Sequence, residues 1–398
     1  MYSGPGDRGV SRVAVVVVTS ILVLSLVTVS LLSSAEAANA QAERDHTTLV
    51  ETELSALHGS ALRVAGSGAP ETASVTLGAR YPSYLFSRPA PATGSLTTRA
   101  LGIEIANVEA VDPDAAEYLK SVGGSLSVDS SALVYEPHFS KDDGATTTAY
   151  ESGVVYSKTP SGEFTLVSDG GFIDGNRITL VAVDADLATE GADPTQLSVR
   201  PVSAPSRALT VINTVDESIV IRVKTTLAEE QWDHILADQL ASNGGFVTDY
   251  SYEPGESTNT LTVTLRQGEF YSLRLAMVGV GQHTPIETAT PAYIVKQSGG
   301  DRWIPAGSKE RLVVQVRDRF NNPVEGVIVK ATYPTGELTP NNWPTDEDGL
   351  VEFEYSPGDI DQSVEVSVWF GDDPDDPVSS TTFTLVVGGE QREASTTA

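Results

Sequence analysis

The sequence contains no cysteine, and this absence removes several kinds of chemistry at once. Disulfide bonds, thiol nucleophiles, iron–sulfur clusters, cysteine-ligated zinc and a lipid-modified cysteine anchor are all excluded. The chain has 398 residues, of which 40% are apolar, so it has room for two or three domains with cores of their own. Those domains must be held together by packing and hydrogen bonds alone.

Basic residues are also scarce. Lys and Arg total 25 against 54 Asp and Glu, which gives a formal net charge of −29. Phosphate backbones and anionic lipids both require a basic face, so this charge balance argues against nucleic acid and against peripheral docking on acidic membranes, and we expect no nucleic-acid partner. An acidic, lysine-poor surface is typical of proteins from salt-loving organisms, where a Debye length of roughly 3 Å screens self-repulsion. An ordinary acidic secreted protein is the alternative.

Recognisable catalytic motifs are missing as well. The five histidines form no H-E-x-x-H motif, and neither G-x-S-x-G nor a phosphate-binding G-x-x-x-x-G-K-[ST] occurs. His234, next to Asp233, is predicted to be a solvated surface residue. Carboxylates in segment 371–377 offer oxygen ligands to Ca²⁺, but two prolines favour a solvated acidic loop. We therefore expect no enzyme, no cofactor and no metal site, with calcium binding by Asp372–Asp376 left open.

A single uncharged run lies near the N-terminus. Residues 13–32 carry no charge, and a helix of this length rises ~30 Å, enough to cross one bilayer core. Arg8 and Arg12 precede the run and Glu36 follows it, so the positive-inside rule predicts that the bulk of the chain is extracellular. We expect membrane lipid to be the partner of residues 13–32. An uncleaved anchor and a secretory signal cut after Ala37 are both compatible with these features.

The segment Asp7–Val13 resembles the start of haloarchaeal type IV pilin-like proteins, in which a basic and a small residue precede the cleavage point. The resemblance implies that a prepilin peptidase cuts between Gly9 and Val10. Residues 1–9 would then be a leader, and the helix would remain on a mature protein that can assemble with other pilin-like subunits. Arg12 departs from the pattern, because proline is common there.

The helix is predicted to continue beyond the membrane, over residues 10–65. This segment contains no proline, and apolar residues recur along it at spacings of four and three. This stripe would pack either on the protein's own next domain or on the helices of neighbouring subunits. The sequence of residues 66–70, GSGAP, ends the helix. The stripe consists of Val50, Leu54, Leu57, Ala61 and Val64.

Residues 70–288 alternate apolar and polar residues in short runs bounded by turn residues, which predicts a mainly β ectodomain. One helix is predicted over 226–243, capped by Thr226 and Glu229, with Trp232 on its apolar face. The runs 261–265 and 270–275 are predicted to form a hairpin. Tyr81-Pro82 and Tyr150-Glu151 resemble elements of an uncharacterised haloarchaeal surface family, which implies surface location and no known chemistry.

Residues 289–388 contain alternating strands in a number that suits an immunoglobulin-like sandwich. The turns at 318–326 and 345–349 resemble those of bacterial immunoglobulin-like (Big-1) domains of the invasin and intimin type, which implies a spacer or adhesive unit. Residues 389–398 are predicted to be a disordered tail. Ten residues are predicted to face the core: Val314, Val316, Val327, Val329, Val351, Phe353, Val366, Val368, Phe383 and Leu385.

The predicted fold class is therefore mainly β, with an N-terminal transmembrane and stalk helix, an α+β middle domain and a C-terminal immunoglobulin-like β-sandwich. The predicted function is that of a membrane-anchored extracellular protein, pilin-like and structural or adhesive. A tethered ligand-binding ectodomain outside any filament is the alternative, followed by a surface hydrolase whose polar residues converge only in the fold.

Overall fold

A computed structural model describes residues 7–83, 89–139, 145–168, 171–281, 289–340, 342–357 and 362–388. Within these ranges, the side chains of residues 7–34 and of Asp114 are not described. The described chain divides into a long helix, a β-rich body over residues 71–281 and a second β-rich unit over residues 289–388, here called the module. This agrees with the predicted fold class.

Helix α1 runs without interruption from Asp7 to Ser67, and Gly68 follows it with a positive φ of 70°. Helix α1 thus covers the predicted stretch, residues 10–65, and ends within the segment 66–70. The apolar stripe from Val50 to Val64 is fully buried in one hydrophobic cluster with residues of the body, including Val75 and Leu197. The stripe therefore packs on the protein's own next domain. The alternative prediction, that this stripe packs on the helices of neighbouring subunits, is wrong.

The predicted membrane span, residues 13–32, lies within α1, but its side chains are outside the described part of the chain. Among the residues whose side chains are described, no helix is both long and apolar enough to cross a bilayer. The membrane span stays a prediction.

The body consists of two sheets that enclose its main core. The first sheet has the order β1-β11-β16-β12-β3, with β9 parallel to β16 and β8 paired to β9. The second has the order β14-β15-β13-β2-β4-β5-β6-β7, with β10 paired to β2. The strands are β1 Glu71–Thr76, β2 Thr93–Ala106, β3 Val108–Ala110, β4 Leu126–His138, β5 Thr147–Glu151, β6 Val154–Lys158, β7 Phe164–Ser168, β8 Ile173–Asp174, β9 Arg177–Asp184, β10 Ala188–Gly191, β11 Pro194–Ser203, β12 Leu209–Asn213, β13 Val220–Thr225, β14 Val247–Glu253, β15 Asn259–Leu265 and β16 Tyr271–Gly281.

The described residues of the body also form two helices: α2, Pro113–Ser121, which sequence reasoning missed, and α3, Glu229–Leu236. Beyond α3, the predicted helical segment 226–243 contains only two short 3₁₀ turns, Ala237–Gln239 and Ala241–Asn243. The predicted cap by Thr226 is wrong, because Ala228 occupies the N-cap position and its N–H donates to the Gln231 side chain.

The predicted hairpin of residues 261–265 and 270–275 is also wrong. Strand β15 pairs with β13 and β14 in the second sheet, whereas β16 is a central strand of the first. The two runs are adjacent in sequence but belong to opposite layers of the core. A short connection between two strands thus does not establish that they pair.

The module is a sandwich of two sheets with the orders β17-β19-β23-β21 and β18-β25-β24-β20-β22. Strands β17, β19 and β23 take the places of A, B and E in one layer of an immunoglobulin fold, and β20, β24 and β25 take those of C, F and G in the other, which is the expected division between its two layers. The short strands β21 and β22 pair with β23 and β20. The predicted sandwich is therefore confirmed by strand order. Its strands are β17 Pro291–Ser298, β18 Arg302–Pro305, β19 Glu310–Asp318, β20 Ile328–Thr332, β21 Glu337–Thr339, β22 Asn342–Pro344, β23 Leu350–Ser356, β24 Gln362–Phe370 and β25 Ser380–Gly388.

The core of the module follows the predicted alternation closely. All ten predicted inward residues except Val327 are buried, and Val327 packs half-buried against the same cluster. Gly326, next to it, has a φ of 77°, the left-handed conformation that favours glycine in a tight turn.

Candidate functional site

The residues predicted to mark leader cleavage, Gly9 and Val10, lie in the part of α1 whose side chains are not described. Cleavage between them stays a prediction.

The acidic loop of the module is organised by its own backbone. Asp373 accepts a hydrogen bond from the Asp375 N–H at 3.0 Å, and Asp376 accepts from the Val378 N–H and the Ser379 hydroxyl at 3.1 and 2.7 Å. The Ser379 hydroxyl is the main reason that the pKa of Asp376 lies below its usual value. No group of three metal-ligating side chains is found in the described part of the chain. The loop is thus a turn held by hydrogen bonds of Asp373 and Asp376, and calcium binding by it stays open.

A buried polar cluster lies where α1 meets the body. Glu43 is completely buried; one carboxylate oxygen accepts from the Tyr81 hydroxyl at 2.5 Å, and the other has no partner among the described residues. One turn on, His46 Nε2 lies 3.0 Å from the hydroxyl of Tyr135, which donates to Leu77 O. Burial lowers the pKa of His46. The helix seam, defined as residues 43–65 of α1, therefore begins with polar groups.

His58, further along the helix seam, is 4% exposed and packs against Tyr150 with the ring centroids 5.2 Å apart. Its Nε2 atom is buried without a hydrogen-bond partner among the described residues. Burial lowers the pKa of His58 below its ordinary value of 6.5. Both seam histidines are thus neutral packing residues near neutral pH, not bases open to a substrate.

A second buried carboxylate, Glu151, fixes the start of α3 on the second sheet. It accepts hydrogen bonds from the Thr225 and Thr226 hydroxyls, both at 2.5 Å, and from the Thr226 N–H at 3.1 Å. The indole N–H of Trp232 donates to the Thr225 hydroxyl at 3.1 Å. Thr226 thus bonds to a strand 75 residues earlier instead of capping its own helix. Because Glu151, Thr225 and Trp232 are buried and bond to one another within the protein, the network is structural.

The most specific polar contact between body and module centres on Asn322, the middle of the Asn-Asn-Pro turn. Its side chain is fully buried, and Nδ2 donates to Ser203 Oγ at 2.8 Å and to Leu275 O at 2.9 Å, both in the body. Its Oδ1 accepts from the Arg207 N–H at 3.1 Å. This turn, which the sequence analysis placed within the module, therefore also joins the module to the body. We call this contact the junction.

Asp318 organises the same turn from inside. It is 2% exposed, and its Oδ1 accepts the N–H groups of Phe320 and Asn322 at 2.8 and 3.0 Å. Its Oδ2 is buried without a partner of hydrogen-bond geometry among the described residues. Burial raises the pKa of Asp318, and the nearby Ser203 hydroxyl and the two backbone N–H groups offset only part of this effect.

Beside this turn, Tyr118 of α2 stacks on Tyr293 of β17, with the ring centroids 4.6 Å apart and the ring planes within 8° of parallel. The Tyr293 hydroxyl donates to Asn321 Oδ1 at 2.5 Å, and Arg317 donates to the same oxygen at 3.0 Å. The pKa of Tyr293 is raised, chiefly by burial. The junction thus combines an aromatic stack with directional hydrogen bonds.

The junction could not be read from the sequence, although one signal pointed towards it. Two asparagines stand together in this turn, at 321 and 322. Asn321 has a φ of 67°, which explains its identity locally, whereas the side-chain partners of Asn322 lie 119 and 47 residues away.

His234 is exposed, as predicted.

Comparison with known proteins found no matching family model and no match among curated proteins. Solved structures with likeness to the chain include the D0–D1 domain of intimin, 14% identical with a TM-score of 0.20, covering 43% of this chain and 91% of that one. The Yersinia pseudotuberculosis adhesin InvE is 9% identical with a TM-score of 0.22, covering 48% and 57%. The Escherichia coli adhesin FdeC is 15% identical with a TM-score of 0.19, covering 81% and 94%.

These neighbours are bacterial adhesins, and the intimin domain is of the type that the module's turns resemble. Their TM-scores are too low to carry an argument about function or overall arrangement. The immunoglobulin-like assignment therefore rests on the strand order and core of the module itself.

Proposed function

We propose that the protein is a membrane-anchored extracellular protein, structural or adhesive, that holds an immunoglobulin-like module away from the cell surface. The observation that carries the proposal is the continuity of α1. The same helix contains the uncharged residues 13–32 and the stripe that forms part of the body's core. A flexible linker after the membrane segment would allow the body to reorient freely relative to the membrane. A single helix that belongs to both the membrane segment and the body does not allow this.

The helix seam supports this role energetically. Val50, Leu54, Leu57, Ala61 and Val64 all have no measurable exposure. Burying an aliphatic side chain contributes roughly 1.5–3 kcal/mol, so the helix cannot detach from the body without a large loss of stability. Force or orientation imposed on the anchor is therefore transmitted to the body and, through the junction, to the module.

Pilin-like processing is the finer part of the proposal. Cleavage after Gly9 would leave Val10 as the first residue of α1 and free the mature helix to assemble with other subunits. The second candidate is a single-pass ectodomain that binds a ligand without entering a filament. A cavity of about 620 Å³ beside α2 favours that candidate specifically.

Mass spectrometry of the mature N-terminus, after membrane fractionation from a host with and without a prepilin peptidase, tests the proposal. We expect a membrane or filament fraction beginning at Val10 only when the peptidase is present. Gly9→Val should block cleavage, and Gly6→Val, the same change three residues earlier, should not. An intact N-terminus in membranes would favour the second candidate, whereas a soluble protein beginning at Ala38 would refute anchoring altogether.

Surface exposure is tested separately by adding protease to intact cells. The proposed topology predicts that the module is digested while the segment before residue 13 is protected. Protection of the module in intact cells would contradict an extracellular body.

A further inference from the structure

A groove beside α2 differs from the rest of the body's surface. It has a volume of about 620 Å³ and lies between α2 and β3, the edge strand of the first sheet, with Gly123, Gly124 and Thr214 also lining it. Cavities that bind ligands typically measure roughly 300–1,000 Å³. Val108 and Ala116 give its floor an apolar character.

Exposed valines concentrate around this groove. Val111, Val122 and Val215 are 49%, 37% and 83% exposed, and each lies within two residues of a lining residue. Val215 is the most exposed large apolar side chain in the described part of the protein. Single exposed apolar residues need no explanation, but three around one concave surface mark an interaction site.

The charge of the groove selects among partners. Glu109 and Glu117 line it, and Lys120 is the only cation among its described lining residues. The exposed Asp216 and Glu217 follow Val215 in the sequence. Neither Glu109 nor Glu117 forms an ion pair with any described residue, so both carboxylates are available to an incoming cation. A second copy of this chain has 25 basic residues against 54 acidic ones, so its surface does not complement these carboxylates.

The groove is also continuous with the junction. Helix α2 borders it along Ala116 and Lys120, and the same helix stacks Tyr118 on Tyr293 of the module. A partner held in the groove would therefore contact the helix that supports the module.

We propose that the groove between α2 and β3 binds a protein segment in an extended conformation that carries apolar side chains flanked by Lys or Arg. The valines contact the apolar side chains, and the free carboxylates pair with the cations. This site needs neither membrane anchoring nor filament assembly.

A fluorescein-labelled octapeptide of alternating Val and Lys serves as the probe, and its binding to the full chain is followed by fluorescence anisotropy at ~0.15 M and ~1 M salt. At ~1 M salt the Debye length is roughly 3 Å, so diffuse attraction to an acidic protein is screened. We expect binding to persist there and to weaken about tenfold or more in Val215→Ser and in Val122→Ser.

Matched control variants test whether the probe binds in the groove beside α2. Val386→Ser removes a valine that is 48% exposed on β25 of the module and should change affinity less than about twofold. Glu117→Gln should weaken binding more than Glu365→Gln on β24. Because all these side chains are exposed, the variants should fold; hydrogen exchange should also slow on probe addition in residues 108–124 and 214–217.

Three results would overturn the proposal. The first is absence of binding at ~1 M salt, and the second is equal loss of affinity in Val215→Ser and Val386→Ser. The third is equal binding of a control peptide with Glu in place of Lys, which would show that the site does not select a basic segment.

Discussion

The body holds its two neighbours by different means. Helix α1 is attached through the helix seam, whose stripe of apolar residues is completely buried, whereas the module is attached through the junction, where one asparagine amide bonds to Ser203, Leu275 and Arg207. Apolar burial is strong and non-directional; hydrogen bonds are weaker net but fix orientation. The seam therefore supplies stability, and the junction sets the angle of the module.

The two attachments also differ in their titratable groups. The seam contains two histidines whose pKa values are lowered by burial, and the junction contains a carboxyl whose pKa is raised by burial. Acid therefore acts on them in opposite directions.

The largest expected effect comes from breaking the seam. Leu57→Ala deletes a fully buried side chain and should lower the free energy of unfolding by about 2–5 kcal/mol, because it leaves a cavity in the core. Leu62→Ala on the same helix is the control: Leu62 is 40% exposed, and its loss should cost less than about 1 kcal/mol. Denaturant unfolding measures both. Equal losses would mean that the seam is not a specific packed surface.

The junction should respond more weakly and more locally. Asn322→Ala leaves Ser203 and Leu275 without their donor and should cost about 1–3 kcal/mol. Hydrogen exchange should rise at the contact between body and module while the cores of both stay protected. Asn342→Ala, at an exposed position of β22, should change neither the free energy of unfolding nor the hydrogen exchange at this contact. An exchange pattern identical in the two variants would show that Asn322 does not hold the units together.

The seam is expected to weaken in acid. The folded protein binds protons on His46 and His58 less readily than the unfolded chain, so the stability they contribute is complete above pH 6.5 and is lost as the pH falls below it. For each histidine, the free energy of unfolding falls by at most ~1.4 kcal/mol per pH unit. His58→Phe should flatten the fall in unfolding free energy between pH 6.5 and 5. His234→Phe, at an exposed position, should leave it unchanged; a slope insensitive to both would contradict the burial argument.

The stability contributed at the junction should depend on pH in the opposite direction. Because the pKa of Asp318 is raised on folding, its ionised form costs stability at neutral pH, and this cost disappears as the pH falls through the raised value towards 3.8. Asp318→Asn keeps the acceptor for the Phe320 and Asn322 N–H groups. It should therefore stabilise the protein at pH 7, and progressively less towards pH 4.

Unfolding free energies across this range, with the exposed Asp129→Asn as control, measure the effect. A difference between Asp318→Asn and the unsubstituted protein that does not shrink in acid would exclude a role for ionisation of Asp318.

Local sequence signals predicted the elements that local forces decide. The spacing of Val50 to Val64 gave the buried face of α1, and alternation at Val351 and Phe353 gave the inner face of β23, because periodicity alone determines which side chains share a face. The same reasoning failed at Thr226, since Glu151 competes for its hydroxyl, and at β15 and β16, which enter different sheets.

The junction and the groove beside α2 lay beyond sequence reasoning for a related reason. Asn322 has a sufficient local explanation as a turn residue, and nothing near it in sequence indicates Ser203 or Leu275 as partners. Helix α2 is only nine residues long and was missed, so Val111, Val122 and Val215 could not be brought together. Tertiary contacts between distant segments decide both sites.

The central claim, that α1, body and module form one fixed unit, is tested most directly by a distance distribution. The absence of cysteine allows two spin labels to be placed without background, at Leu49→Cys on the exposed side of α1 and at Glu365→Cys on β24. Pulsed electron paramagnetic resonance on the full chain in membranes should give one narrow distance distribution that broadens in Asn322→Ala. A broad distribution in the otherwise unsubstituted protein would contradict the account, because it would show that the module moves freely relative to the helix.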